Sequence, residues 1–585
     1  MIDLKYKRRS FFKKSFKSLA LLSVTNNLSI KPFFNIEKKP LIIKDPNPIS
    51  KVPLNELNPQ EFNGDDIERS HEALWNVRGY IRDHNQNLDL LPVEIVDFVV
   101  VGGGLSGLLS AHFSLKKSEH LKTIVLELGT EFGGNSRGEK LKSNVNKNIN
   151  SQFEDYYSIG AAYITKPDPN SIEEDLLRDL DLLSQKKSEG PDDSKILLQN
   201  RFFSNFWDGT THPLEREIFQ KVYLKLKDIL ENNYPDIPPA PGEQFKPETL
   251  KLDQISFKQW LDQEFKNLPE IILEYFQLYC WSSFNGSLDE ISAAQALNFL
   301  AAETEDVWTF KGGNSAITQK LYDILKNKIG QQNLRSGSIV LDVSIDPNDN
   351  LVKIIYENPS RELKVVKASK AVIATPKFIA KKIVSAMPEI QIQACNKIIY
   401  RPYIVANIFI DKLKINNSLS PCFDLYTLNG SLPKTPSALR PPSNPFTDIC
   451  FANWSYSISE EQNSEYFKLT VYKPLPYQGA RQFLFNPLIH NRYSNSIKEG
   501  LKPLLSELKI PDVAISGIRL TRWGHSMPLA EVGALTQQNI YLASKNIANK
   551  IYFANQDNWL NPSFETAIAV ANDVAEKIFK NTSSR

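Results

Sequence analysis

Three glycines in the spacing Gly102-x-Gly104-x-x-Gly107 follow the apolar run Phe98-Val99-Val100-Val101 and precede Leu108-Leu109-Ser110-Ala111. That order predicts a buried strand, a tight turn and a helix whose first N–H groups, at Leu105 and Ser106, face a pyrophosphate. Gly102 permits the turn, Gly104 admits the phosphates to the backbone, and Gly107 lets the helix pack on the strand. Thr123-Ile124-Val125-Leu126-Glu127 reads as a second strand ending in an acid. Glu127 stands about 20 residues past Gly107, the spacing of a carboxylate that holds a ribose. The alternative is an ordinary glycine-rich turn between strand and helix.

Around these residues the chain alternates between two kinds of segment. Residues 25–65 are rich in Pro, Asn and Lys and form an arm or linker. Tyr157 to Tyr163 is rich in small residues, with Gly160 and Ala161 allowing close backbone approach to a ligand. Helical patterns run from Glu215 to Leu230 and from Phe265 to Tyr279. After Phe310-Lys311-Gly312-Gly313-Asn314 come an amphipathic helix and a β-rich stretch over 339–357. Ala371 to Ile373 and Ile551 to Phe553 are further buried strands. The last helix has Asn561 as its expected N-cap, Pro562 at its first position, and an apolar stripe from Phe564 to Ile578.

The expected fold class is therefore mixed α/β. A discontinuous dinucleotide-binding domain comprises residues 91–165, 305–378 and 511–580, and a sheet-plus-helices substrate domain comprises 166–304 and 379–510. Residues 31–90 precede them as an arm.

These segments, in this order, resemble the flavin-containing amine oxidase superfamily, and within it the spermidine dehydrogenase-like proteins. The likeness is carried by Ser70-His71-Glu72, Phe132-Gly133-Gly134 after the ribose acid, Phe310-x-Gly312-Gly313-Asn314, Arg522-Trp523-Gly524-His525 and Phe553-Ala554-Asn555-x-Asp557. The resemblance implies FAD. Gly102, Gly104 and Gly107 would meet its pyrophosphate and Glu127 its ribose, while Gly133, Gly134 and Arg137 would run along the phosphates and the isoalloxazine. Val343 would touch the adenine side through its backbone, and Asp557 the ribityl chain. The helix that carries Phe564 and Glu565 would point at the flavin pyrimidine ring. Trp523 and His525 would form the pocket wall against flavin or substrate.

Two departures bear on chemistry. Members that bind flavin covalently use a Cys where this chain has Trp523-Gly524-His525-Ser526, so the FAD is expected to be non-covalent. The lysine that holds a water near the flavin is missing from Tyr403–Ile410, with Lys397 and Lys412 flanking it, and one amine-cage aromatic is replaced by Ser563. Both changes fit a dehydrogenase that passes electrons to a carrier of unknown identity. The resemblance also raises haem as a second cofactor, with His71 and His525 as ligands, although no C-x-x-C-H motif is present.

The expected reaction is hydride transfer from a small-molecule amine, a polyamine such as spermidine among the choices, with Glu303, Glu305 and Asp306 as carboxylates for a distal ammonium. Those acids equally suit a solvated loop. The alternatives are an isoprenoid or carotenoid desaturase, a porphyrinogen-type oxidase, or a flavin-binding scaffold without turnover.

Composition excludes other classes. The 585 residues are 41% hydrophobic and 23% charged, with a net charge of +2, which suits a globular protein and does not suggest a nucleic-acid partner. No apolar run reaches the roughly 20 residues of a membrane span. Cys280, Cys395, Cys422 and Cys450 match no metal motif, which leaves thiols or disulfides open. Residues 1–30, with Lys7-Arg8-Arg9-Ser10-Phe11-Phe12-Lys13, resemble a twin-arginine signal for periplasmic export; a basic tail or transit peptide is the alternative.

Overall fold

A computed structural model describes residues 40–580 except 85, 144–152, 190–194, 199–200, 205, 209–215, 241, 416–424, 428–445, 478, 487 and 538. The export segment and Cys422 lie outside the described residues; Cys280 and Cys395 are buried free thiols, and Cys450 is buried. Among the described residues no helix is long and apolar enough to cross a membrane.

The apolar run at Phe98 becomes the strand Val93–Val101, and its alternation explains why it lies at the centre of a layered structure. Phe98 and Val100 enter one core, and Val99 and Val101 enter another. Both faces are therefore covered, as in a parallel sheet. Burying each such side chain contributes about 1.5–3 kcal/mol. The sheet has seven strands, in the order Leu334–Arg335, Thr123–Leu126, Val93–Val101, Leu363–Ile373, Val352–Glu357 and Ile339–Ile345, with Ile551–Phe553 also beside Leu363–Ile373. The pairings at its centre are parallel, and Val352–Glu357 and Ile339–Ile345 add an antiparallel edge. Three separated parts of the chain thus share one sheet.

One face of this sheet packs against the helices Leu105–Lys117, Ser315–Ile329 and Phe564–Lys580. The stripe from Phe564 to Ile578 is buried there. The cap of its helix differs from expectation. Ser563 Oγ accepts the Thr566 N–H at 3.0 Å, whereas Asn561 is buried and bonded to Gln295, Asn298 and Thr566. The other face carries Ile67–Leu74, Val77–Asp83, Lys377–Ile383 and Glu389–Lys397.

A second, eight-stranded sheet runs Arg201–Ser204, Lys195–Leu198, Leu425–Thr427, Asp448–Phe451, Tyr466–Pro474, Tyr400–Asp411, Ile515–Pro528 and Asn63–Gly64. Ile515–Pro528 lies within the 511–580 segment expected in the nucleotide domain, yet it pairs with Tyr400–Asp411 in this second sheet. Conversely, Lys377–Ile383 and Glu389–Lys397, at the start of the second insertion, pack on the nucleotide sheet. The reason is that strand pairing and helix packing satisfy whichever face lies nearest, and sequence order does not reveal that face. The helices Arg216–Asn232, Phe257–Glu264, Glu270–Phe284 and Ala293–Ala302 form a separate aromatic-rich core.

The arm before the first strand is ordered over the cofactor turn. Ile49–Val52 pairs in parallel with Gly138–Ser143, and Phe132 and Gly138 donate their N–H groups to the carbonyls of Pro46 and Pro48 at 3.0 and 3.1 Å. Arg519 of the second sheet grips Glu139 with Nε and Nη2 at 2.9 and 2.8 Å, fixing that sheet to the strand that leaves the Gly133-Gly134 doublet.

Candidate functional site

The glycine turn is built by close contacts that side chains would prevent. Gly102 sits at φ +105° and donates its N–H to the Leu126 carbonyl at 2.8 Å. A Cβ at Gly107 would lie 1.9 Å from the Gly102 carbonyl oxygen, so the helix can reach the turn only with glycine there. Gly133 donates to the Gly103 carbonyl at 2.8 Å, and a Cβ at Gly134 would come within 3.0 Å of Gly104 Cα. The two glycine motifs are thus stitched into one floor.

Glu127 ends its strand beneath this floor. Its two oxygens accept the N–H groups of Gly103 and Gly129, both at 2.6 Å. Burial raises its pKa, and those two N–H groups pull it back in part. A carboxylate has about four lone-pair positions, so capacity remains for a ribose hydroxyl.

A cavity of about 1380 Å³ opens from this floor, larger than the ~300–1,000 Å³ of most ligand pockets. It begins at Glu127, Ser338–Val340, Gly102 and Gly104–Ser106, and passes Gly134–Ser136, Gly160–Ala162 and Trp523–Met527. Tyr403, Tyr472, Asp448, Glu303, Phe564 and Glu565 also line it. A glycine floor with a helix N-terminus and a carboxylate suits a dinucleotide, and the volume leaves room for a substrate.

Of the expected site residues, Gly102, Gly104, Leu105, Ser106, Glu127, Gly134, Gly160, Ala161, Trp523, His525, Phe564 and Glu565 line this cavity. Gly107, Gly133, Arg137, Val343 and Asp557 do not. Gly107 and Gly133 act through packing beneath the floor. Arg137 is held by Glu131 at 3.0 Å and the Gly64 carbonyl at 3.0 Å, with its guanidinium 5.1 Å from the Trp523 ring centre. Val343 is fully buried further along the strand whose start, Ser338–Val340, reaches the cavity.

Asp557 is taken out of reach by an ion pair. Lys377 Nζ lies 2.6 Å from Asp557 Oδ1, and Oδ2 accepts the Lys377 N–H at 2.7 Å and the Tyr400 hydroxyl at 2.5 Å. Both side chains are fully buried. The aspartate thereby anchors the turn after Leu363–Ile373, while its neighbours Asn555 and Gln556 face the cavity.

The wall residues have distinct chemistries. Trp523 donates Nε1–H to the Ile159 carbonyl at 2.9 Å, which fixes its ring. The His525 ring stacks on Phe378 with 3.9 Å between centres. Burial lowers its pKa to about 3, helped by the charges of Arg481, His71 and Lys382. The imidazole is therefore neutral at physiological pH and supplies no cation.

Carboxylates gather on the same lining. Burial pushes Glu303 up to about 8, partly opposed by the Tyr279 hydroxyl, and pushes Asp448 up to about 6. Glu565 accepts the Thr165 hydroxyl at 2.5 Å. Glu305 lines the cavity and pairs with Lys166 at 3.1 Å, and Asp306 accepts the Ser188 hydroxyl outside it. Lys397 and Lys412 are held by Asn539 and Glu461 and do not line the cavity. Among the described cysteines, none lines it.

Tyr403, Tyr472 and Asp448 were not anticipated. Tyr403 and Val405 share one face of Tyr400–Asp411, and this period-two pairing was the available signal. Every residue from Tyr400 to Ile410 is buried, so polarity did not distinguish the cavity face.

Comparison with known proteins agrees with this geometry. Residues 100–180 match the model of the NAD(P)-binding Rossmann-like domain. A Serratia protein described as oxidoreductase PigB is 24% identical over 536 residues, covering 82% of this chain and 75% of its own length. Putrescine oxidase bound to putrescine superposes with a TM-score of 0.58 at 15% identity, covering 84% of this chain and 100% of its own. Cyclohexylamine oxidase from Brevibacterium oxydans gives 0.57 at 15% identity, covering 83% and 99%. The chain thus places a Rossmann-like dinucleotide-binding domain within the mixed α/β fold of the flavin amine oxidases.

Proposed function

We propose that this protein is an FAD-dependent oxidoreductase that oxidises a cationic amine, a di- or polyamine above all. The observation that carries the reading is the single cavity that joins the glycine floor to a chamber holding Glu303, Asp448 and Glu565. Bound FAD would supply the electron-pair acceptor for the carbon beside the amine nitrogen. The chain's own residues do the rest. The N–H groups at Gly104–Ser106 would face the pyrophosphate and Glu127 the ribose. Tyr403, Tyr472 and Trp523 confine the substrate and exclude water. Glu303 binds an ammonium group or takes up its proton at a carboxylate oxygen.

The acid-lined chamber favours this reading over a desaturase, whose substrate would need an apolar tunnel. The absence of cysteine from the described lining supports non-covalent FAD, and the lack of a lysine in Tyr403–Ile410 supports a carrier as electron acceptor. Anaerobic titration of the FAD-replete protein with putrescine and spermidine tests the reading. Bleaching of the flavin band is expected; an unchanged spectrum would overturn it.

Glu303→Gln is expected to lower kcat/KM for the amine roughly 10- to 150-fold, the worth of a charge-assisted hydrogen bond of ~1.5–3 kcal/mol. In the parent protein kcat/KM gains a rise through pH 8 as the Glu303 carboxylate forms, and this rise is missing in the variant. Stability moves the opposite way. The folded state holds the Glu303 proton more tightly than the unfolded chain, where the group titrates near 4.5. Its stabilisation is present below that value and is lost as pH climbs toward 8. Thermal unfolding of the apoprotein against pH would show a shallower decline for Glu303→Gln.

A further inference from the structure

One arm of the cavity lining is not used by the proposed amine chemistry. It consists of three short helices, Ile67–Leu74, Lys377–Ile383 and Ala480–Phe483, and the residues that follow them. Contacts join them into one unit. His71 meets Phe485 edge to face at 5.0 Å, and Lys382 Nζ donates to the Leu74 carbonyl at 3.1 Å and lies 5.9 Å from the Trp75 ring centre.

This arm opens to solvent. Trp75 and Phe485 line it yet are 80% and 51% exposed, and Phe483 and Leu488 extend the apolar rim at 50% and 76%. Its inner end carries cations: Arg481 and Lys382 line it, and both act electrostatically on His525 at the cavity wall. The two carboxylates that line the cavity beside these helices, Asp65 and Asp66, are committed elsewhere, and Glu72 pairs with Arg361. Asp65 accepts the Gly524 N–H at 2.6 Å and faces Arg137 and Arg522, and Asp66 caps Ile67–Leu74 through the Arg69 N–H at 3.0 Å. Aromatic planes outside and N–H donors with positive charge inside suit a planar molecule that carries carbonyl oxygens and becomes more negative as it is reduced.

We infer that this arm is the port of the electron acceptor, and that the acceptor is an amphiphilic quinone. Its ring would pass Trp75 and Phe485 toward His525, its carbonyls would meet Arg481 and Lys382, and its tail would rest on the rim. The inference rests on the proposed amine reaction, whose balance it completes. The amine loses two electrons and two protons to become an imine, which water hydrolyses to aldehyde and ammonia. The quinone takes up two electrons and two protons and leaves as the hydroquinone.

The test separates this step from amine oxidation by reducing the FAD-loaded protein with dithionite, without amine, and mixing it anaerobically with decylubiquinone. Flavin reoxidation is expected to saturate with quinone concentration. In Lys382→Glu/Arg481→Glu the half-saturating concentration should rise at least tenfold with flavin content unchanged. Trp75→Ala, at an exposed position that burdens folding little, should erase the preference for decylubiquinone over a tailless quinone. Equilibrium dialysis of decylubiquinone against the oxidised protein gives an independent readout, with binding lost in both variants. Reoxidation that is linear in quinone and the same in all three proteins would overturn the inference. So would a loss of flavin from the charge-reversal variant with quinone binding intact, since the arm would then hold the cofactor. Failure of amines to bleach the flavin would leave these outcomes readable.

Discussion

Replacing Gly107 with alanine will strip the protein of bound FAD and lower its melting temperature. The added Cβ would lie 1.9 Å from the Gly102 carbonyl oxygen and 3.3 Å from Ala374 Cβ. The first of these neighbours is backbone at the tightest point of the turn, so no rotamer change relieves the clash. Either the Leu105–Lys117 helix lifts off the sheet or the turn opens. Both shifts move the N–H groups of Gly104–Ser106 that the pyrophosphate needs. Overpacking of this kind costs ~1–3 kcal/mol where side chains can yield and more where backbone must move. Flavin absorbance per protein after gel filtration, with differential scanning fluorimetry, measures both effects. A variant that keeps full FAD and the parent melting temperature would show that the helix is not seated as described. Ala161→Gly, at a cavity-lining position, serves as a comparison that adds no atom.

Lys377→Met is expected to destabilise the fold by about 3–5 kcal/mol, because it leaves the Asp557 carboxylate buried without its countercharge. Removing only the Tyr400 hydroxyl, as Tyr400→Phe, should cost less, about 1–3 kcal/mol, since one hydrogen bond to Asp557 is lost and the ion pair stays. Chemical denaturation of the two variants gives the ordering. The same pair fixes where Asn555 and Gln556 meet the cavity, so FAD retention should fall in Lys377→Met more than in Tyr400→Phe. If Asp557 instead served the cofactor directly, Lys377→Met would leave stability near the parent value.

Much of the nucleotide half was legible because its requirements are local. A strand, a turn without side chains and a helix start must follow one another in the chain, and the distance from Gly107 to Glu127 is a loop length plus a strand. The Gly133-Gly134 doublet belongs to the same run, and it meets Gly103 through a hydrogen bond and Gly104 through a close backbone approach. The C-terminal helix was legible through its stripe, although its cap was misplaced by two residues: Ser563 and Asn561 are both good caps, and only the path of the chain selects between them.

The chamber was much less legible. Glu303 was among the acids read from the sequence as a group, but nothing local separates it from Glu305, which pairs with Lys166, or Asp306, which does not line the cavity. Asp557 shows the converse. Its position after a buried strand suggests a ligand-binding acid, and a lysine about 180 residues away in sequence claims it first. Arg137 and Val343 do not line the cavity either, Arg137 because Glu131 and the Gly64 carbonyl hold it and Val343 because its side chain is buried.

What the amino-acid sequence determined by itself was the dinucleotide cleft, because glycines, a carboxylate and periodic apolar residues act through neighbours only a few positions away. What only the tertiary structure decided was which polar groups face the cavity, carboxylates such as Glu303 and Asp448 and cations such as Arg481 and Lys382 among them. Periodicity marks a buried face without naming what lies across from it, and the charge around a buried carboxylate or imidazole is set by residues that the fold, not the chain order, brings near.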